Sequence, residues 1–513
     1  MTTHTTYDVV VVGAGHNGLV AAARLARAGQ SVLVLERAGQ VGGAAVSAQA
    51  FAGVPARLSR YSYLVSLMPQ ALIEELDLPI RLASRAVASY TPVPGGPGLL
   101  VERAEGEATR ASFRTLTGSD DEYDAWRDFY SRADTLCRAI APTLMEPLPR
   151  EQVLRAQVDA QVWRDFVTTA IGHAIERTFD DDTVRGVVAT DALIGTFASL
   201  ADPSLIQNRC LLYHLVGGEW RVPIGGMGAV TDALLAAASN PGAQILTGAE
   251  VERIESGAAG SEVTWRGESG PQRAECRLVL AGVAPWVLDR LIGAEPGPKP
   301  EGCQVKVNLL LDRLPTLRSG VDPEVAFAGT LHLAEGWQAL QRAYDEAAAG
   351  RLPTELPGEI YCHTLTDPSI LGGRAGHTLT YFGLHAPASL FEPEPEAHRA
   401  EVLARVLASI NEHLTEPIED CLARDGHGRP CVEVKLPQDV EADLAMPGGH
   451  IFHGDLQWPW APDEAALDTP ARRWGVESRV PGVLLCGSGA RRGGAVSGLG
   501  GHNASAAALE LLE

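Results

Sequence analysis

Short, unbroken apolar runs stand far apart along this chain, separated by helical periodicity and glycine-rich turns. Residues 7–12 read YDVVVV, 31–35 SVLVL, 278–281 LVLA and 483–485 VLL. Runs of this length without polar alternation predict strands buried on both faces, as in a parallel sheet. Residues 19–28 are alanine-rich, with Arg24 and Arg27 on an outer face and Gly29 as the stop, which predicts a helix. Residues 120–140 carry Tyr123, Trp126 and Tyr130 at the spacing of one helix face. Such a stripe serves either a core or a substrate tunnel. Residues 152–179, with Trp163 and Phe166, also predict helix, as do 395–414, where Glu401 and Arg405 form an i,i+4 pair. Further strands are predicted at 244–247, 249–254, 304–311 and 379–384, and a Pro- and Gly-rich loop at 91–98.

The turn after the first strand carries chemistry. Gly13 permits a tight turn, Gly15 lets backbone approach a pyrophosphate, and Gly18 lets helix and strand pack closely. The helix start, with His16 and Asn17, offers free N–H groups to phosphate. Glu36 ends the second strand, placed for ribose hydroxyls, and its charge disfavours a 2′-phosphate. One such fingerprint means only some dinucleotide. A second glycine-rich region follows 483–485: Gly487, Ser488 and Gly489, then Gly498, Leu499 and Gly500 opening a C-terminal helix. Two such regions suit a long, stretched, non-covalently bound FAD, one for the pyrophosphate and one for the ribityl and pyrimidine end. The run at Gly225 lacks the GxGxxG order, so no resident NAD(P)H domain is expected.

The segments GAGHNGLVAA (13–22), Glu36-Arg37, VGGAA (41–45), SRYSYL (59–64), PIGGMGAV (223–230) and GHIFHGDL (449–456) together resemble the phytoene-desaturase-like FAD-dependent oxidoreductases. The resemblance is closest to the branch labelled pyridine nucleotide-disulfide oxidoreductase domain-containing protein 2. It runs from residue 7 to about 510, and is weak between 80 and 215. It implies an α/β fold: a Rossmann-like FAD-binding domain of the glutathione-reductase/amine-oxidase type, interleaved with an α+β substrate domain. The expected boundaries are 1–75, 215–292 and 471–513 for the first domain, and 76–214 and 293–470 for the second. It also implies that Arg37, Gly42, Gly43 and Ala44 extend the cofactor site, that Val251 lends backbone groups to adenine, and that Tyr61 and Tyr63 wall a substrate pocket. Lys306 sits on a segment resembling the strand where flavin amine oxidases place a lysine. The competing reading is an edge lysine facing solvent.

Composition removes several classes. A net charge of −22 excludes a nucleic-acid binder and electrostatic docking on anionic lipid, though not transient apolar contact with a membrane. No apolar run approaches the ~20 residues of a membrane span. Six residues precede the first predicted strand, which leaves no room for a targeting peptide, so a cytoplasmic protein is expected, and the high Ala, Gly and Arg content points to a bacterial one. The eight cysteines contain no C-x-x-C, so disulfide-reductase chemistry is excluded despite the branch's label.

Acid–base candidates are His453, Asp455 and His502 beside Lys306. His450, His453 and Asp455 are close in sequence, but no further ligand recurs at fixed spacing and no metal is expected. The expected activity is hydride removal from a mainly apolar small molecule (polyene, isoprenoid or acyl chain) by an FAD-dependent dehydrogenase or desaturase, with oxygen or a quinone as acceptor. Amine oxidation and redox-neutral isomerisation are the enzymatic alternatives, and a flavin-bound scaffold the non-enzymatic one.

Overall fold

The computed structural model describes residues 6–257, 259–267 and 270–513. Two seven-stranded sheets organise it. In the first, Gln244–Leu246, Val32–Leu35, Thr6–Val12 and the end of Gly270–Ala281 lie parallel, and Val483–Leu485 closes on Val279 to Ala281. The early part of Gly270–Ala281 folds back on Gly260–Gly267 and Glu250–Gly257 as an antiparallel meander. The apolar runs are buried because both faces are covered. Val9, Val11, Val32 and Val34 pack under the helix His16–Arg27, and Val10, Val12, Leu33 and Leu35 pack on Ile254, Val263 and Trp265 of the meander.

Glycines set how closely the helices approach. A Cβ on Gly18 would lie 2.1 Å from the Gly13 carbonyl oxygen, and one on Gly501 would lie 1.9 Å from that of Asn17. The helix Leu499–Leu512 therefore crosses His16–Arg27 backbone against backbone. The first and last segments of the chain are thus one structural unit.

The second sheet runs in the order Val432–Lys435, Val305–Leu311, His377–Gly383, Gly358–Tyr361, Thr330–Leu333, Val87–Thr91, Leu99–Glu102. Val305, Val307 and Leu309 pack on Val402, Val406 and Ile410 of the helix Pro395–Glu412. The opposite face, with Lys306, turns inward. Helices Asp121–Ile140 and Ile206–Val216 roof the space between the sheets through a large aromatic and aliphatic cluster.

The stretch 152–179 is broken where a continuous helix was expected. It forms Glu151–Arg155, then Ala160–Trp163 running into a π-turn at Arg164–Thr168, then Ile171–Thr178. Asp159 caps the second piece, accepting from the backbone of Gln161 and Val162. The buried Asn208 side chain satisfies the break itself: it donates to Phe166 O and Thr169 O and accepts from Ile171 N. Fully buried Arg492 sews the helical roof to the C-terminal segment, donating to Thr143 O and Glu146 O at 2.7 Å each and to Trp474 O at 3.1 Å. Among the described residues no helix is long and apolar enough to cross a membrane.

Candidate active site

A cavity of about 1160 Å³ opens between the two sheets. One half is the glycine-rich nucleotide cradle. Gly13, Gly15, His16, Asn17, Gly18, Glu36, Arg37, Gly43, Ala44, Val251, Gly487 and Ser488 all line it. A Cβ on Gly15 would meet no protein atom within 4 Å, so this glycine faces open space rather than packing. Glu36 is held rigidly at the strand end, its two oxygens accepting from Ala14 N and Ala38 N at 2.8 Å each. An open backbone cradle, a helix start and a fixed carboxylate in this order fit the pyrophosphate and ribose of FAD. Gly42 stands behind this wall: its N–H donates to Ala14 O, and a Cβ there would come within 2.8 Å of the Thr231 hydroxyl. Arg37 donates to Ala442 O and Asp443 O, bracing the helix Pro437–Leu444 over the cavity.

Gly498, Leu499 and Gly500 do not line the cavity; Gly494, Ala495 and Val496 do. The helix start is occupied by packing. Leu499 N meets Ser497 Oγ at 3.2 Å, Gly501 N meets Asn17 Oδ1 at 3.4 Å, and a Cβ on Gly500 would lie 2.7 Å from the carbonyls of Cys486 and Gly487. His502 corrects the expectation of a flavin-side imidazole. It is buried on the far side of that helix, with Nδ1 on Asn503 Oδ1 and Nε2 3.8 Å from Glu75. Asp455 also points elsewhere: its carboxylate is exposed and lies 3.8 Å from His450 Nε2.

His453 does line the cavity. It is half-buried with φ of 64°, and desolvation followed by the neighbouring His450 and His16 pushes its pKa down to about 3, so the ring is neutral. Lys306 lines the cavity too and is not a solvent-facing lysine. Its Nζ donates to Tyr61 O at 2.6 Å and Ser59 O at 3.3 Å and lies 4.6 Å above the Tyr63 ring. Burial holds its pKa well below the usual lysine range. Tyr61 and Tyr63 both wall the cavity. Tyr61 donates to Asp443, which also pairs with Lys435, and Tyr63 packs on Tyr361 with ring centroids 4.7 Å apart.

The other half of the cavity has two characters. Trp126, Tyr130, Ile194, Phe382, Ile451 and Phe452 make an apolar wall. The Trp126–Tyr130 stripe thus serves core and cavity together. Opposite stand ionisable groups not foreseen in the sequence: Arg85, Asp191, His214, His332 and Glu359. They come from one helix, two strands and two connecting segments, with no local spacing to mark them. Burial raises Asp191 to about 7 and Glu359 to about 8, and lowers His214 and His332 to about 3.

All eight cysteines are free and buried. Replacing each singly by alanine is expected to leave FAD bound and its reduction by substrate intact. A replacement that abolishes turnover in folded, flavin-loaded protein would restore a thiol mechanism.

The fold is shared with known proteins. Residues 18–422 match the family described as flavin containing amine oxidoreductase, and the chain belongs to that family. It is an FAD-dependent oxidoreductase. It is 50% identical over 533 residues to an uncharacterized protein of Mycobacterium tuberculosis, covering 99% of this chain and 97% of that one. It is 28% identical to the pyridine nucleotide-disulfide oxidoreductase domain-containing protein 2 of Rattus norvegicus, covering 97% and 92%. The solved cyclohexylamine oxidase of Brevibacterium oxydans is similar in fold, with a TM-score of 0.59 at 17% identity over 99% of this chain and 98% of that one.

Proposed function

We propose that the protein removes hydride from a substrate with a mainly apolar body and one polar end. The observation behind this reading is the two-sided cavity, aromatic and aliphatic on one wall and ionisable on the other. Bound FAD supplies the two-electron acceptor. Gly15 and the start of His16–Arg27 would hold its pyrophosphate and Glu36 its ribose. The apolar wall excludes water from the reacting carbon, and Arg85, Asp191 and Glu359 orient the polar end. Lys306 is the proton-holding group nearest the two halves' junction. Two of its N–H bonds are committed to Ser59 and Tyr61, and Nζ keeps its remaining position for a proton on the cavity side. Oxygen or a quinone is the acceptor. The free thiols suit a reducing, cytoplasmic setting.

A second reading, amine oxidation, is favoured by the same Lys306 and by carboxylates that accept an ammonium. Anaerobic bleaching of the flavin against polyenes, acyl compounds and amines separates the two. Bleaching by apolar compounds with a polar terminus is expected, and bleaching by amines alone would overturn the first reading. Lys306→Met keeps side-chain length and removes the proton site. Substrate-driven bleaching should change little, while reoxidation by oxygen slows about 10-fold or more, equivalent to ~1.4 kcal/mol of barrier. Stopped-flow traces with unchanged reoxidation would remove this role.

A further inference from the structure

The polar end of the cavity holds a group of three side chains, of which the proposed hydride chemistry uses only Glu359. His332 is on the strand Thr330–Leu333, Glu335 lies just beyond its end, and Glu359 is on the neighbouring strand Gly358–Tyr361. His332 Nδ1 is 3.9 Å from Glu335 Oε2, and its Nε2 is 3.9 Å from Glu359 Oε1. One ligand atom from each residue lies within 4.8 Å of the other two. All three residues are buried, Glu335 to 1% exposure.

Glu335 is the telling member. Among the described residues neither of its carboxylate oxygens has a well-formed hydrogen-bond partner, and the Thr190 hydroxyl close to it also lacks one. Burial raises the pKa of Glu335 well above the usual range, so alone it is held as the neutral acid, and keeping it as a carboxylate calls for a positive partner. The surrounding charges do not supply it. Arg85 lies over the Tyr361 ring, and Tyr361 donates to Glu359, so that guanidinium serves Glu359. Asp191 adds a third carboxylate, 3.2 Å from the neutral His214. Arg103 is partly exposed and pairs with Glu219. Three carboxyl groups thus face one buried guanidinium, and without a further positive charge burial keeps them largely as neutral acids.

We infer that His332, Glu335 and Glu359 form a binding site for a divalent transition-metal cation such as Zn²⁺, Mn²⁺ or Fe²⁺. One imidazole and two carboxylates suit these ions better than Mg²⁺ or Ca²⁺, which take oxygen alone. The 3.9 Å separations are wider than an ion or a shared proton needs, and come nearer to the ion's. Ligand atoms about 2.0–2.2 Å from a metal stand ~3–3.6 Å from each other, whereas an acid hydrogen-bonded directly needs ~2.5–2.8 Å. The site also has an outer support. Thr91 Oγ1 meets His332 Nδ1 at 3.0 Å, which fixes the ring and leaves Nε2, on the Glu359 side, as the ligand nitrogen, toward which Glu335 must turn from its place 3.9 Å from Nδ1. Three protein ligands leave a coordination position open, on the side where His332 and Glu359 line the cavity.

The test uses FAD-loaded protein, stripped with a chelator and titrated with Mn²⁺ while the free-ion paramagnetic resonance signal is followed, then with Zn²⁺ as competitor and elemental analysis of the product. About one ion per chain is expected. Glu335→Gln should weaken binding more than 10-fold, and Thr91→Val, outside the ligand set, by about 10-fold. Bound FAD and the melting curve report that each variant is folded. No uptake by the unmodified protein, or equal uptake by folded Glu335→Gln and Thr91→Val, would overturn the site. These readouts are independent of the substrate, so they stand apart from the hydride-transfer reading.

Discussion

Gly15→Val is expected to give a folded protein that binds no FAD. The backbone there has φ of −67° and ψ of 170°, which valine adopts without strain. A Cβ meets no protein atom within 4 Å. The new side chain therefore fits the protein and fills only the space where a pyrophosphate must approach backbone. A loss of at least 100-fold in FAD affinity is expected, about 2.7 kcal/mol. Gly18→Ala should do the reverse and fail in folding, because its Cβ would lie 2.1 Å from the Gly13 carbonyl oxygen. Overpacking against backbone there costs about 3 kcal/mol or more. Flavin absorbance after gel filtration, with circular dichroism melts of both variants, reads the contrast. Normal yellow protein from Gly15→Val would overturn the cradle.

Arg492→Met is expected to lower folding stability by about 3 kcal/mol. The substitution keeps most of the volume but leaves the carbonyls of Thr143, Glu146 and Trp474 without their charged donor. Burial lowers the arginine's pKa to about 10, so it is still charged at neutral pH, and removing that charge recovers part of its desolvation cost. Arg492→Lys should fall between, since one ammonium cannot reproduce the planar fork. The denaturant midpoint at constant slope measures the effect. A change under about 1 kcal/mol for Arg492→Met would show that the three carbonyls find other donors.

What was legible in the sequence is what local spacing dictates. The turn at Gly13, Gly15 and Gly18 and the carboxylate of Glu36 are fixed by a single strand–helix–strand unit, so their order along the chain is their order in space. The C-terminal glycines were legible as glycines but not in purpose. Sequence shows Gly498 and Gly500 opening a helix, and only the structure shows that Gly500 packs against Cys486, Gly487 and Asn17 and Gly498 against Leu72 and Val20. His502 was misjudged for the same reason, because a helix start says nothing about which side a residue one turn later faces. Lys306 was ambiguous because every residue of Val305–Leu311 is buried, so alternation could not tell cavity from core. Asp191, His214, His332 and Glu359 were invisible: Asp191 lies in the turn after the helix Asp182–Thr190, the others each lie alone in an ordinary helix or strand, and only the sheet register of Thr330–Leu333 on Gly358–Tyr361 brings two of them together.

The crossing of His16–Arg27 by Leu499–Leu512 has a consequence for the protein's birth. The strand Thr6–Val12 and helix His16–Arg27 leave the ribosome long before their packing partner Leu499–Leu512 is made. At ~5–20 residues per second the early segment waits about half a minute or longer for it. During that wait the close-packing glycine face of His16–Arg27 has nothing to lie against, and the central sheet lacks Val483–Leu485. A chain that stops short of residue 483 loses the partner of its nucleotide cradle rather than a tail. FAD, by joining walls drawn from both ends, favours the closed chain by mass action. Vitamin supply to the cell then acts on how many newly made molecules complete their fold, as well as on how many can react.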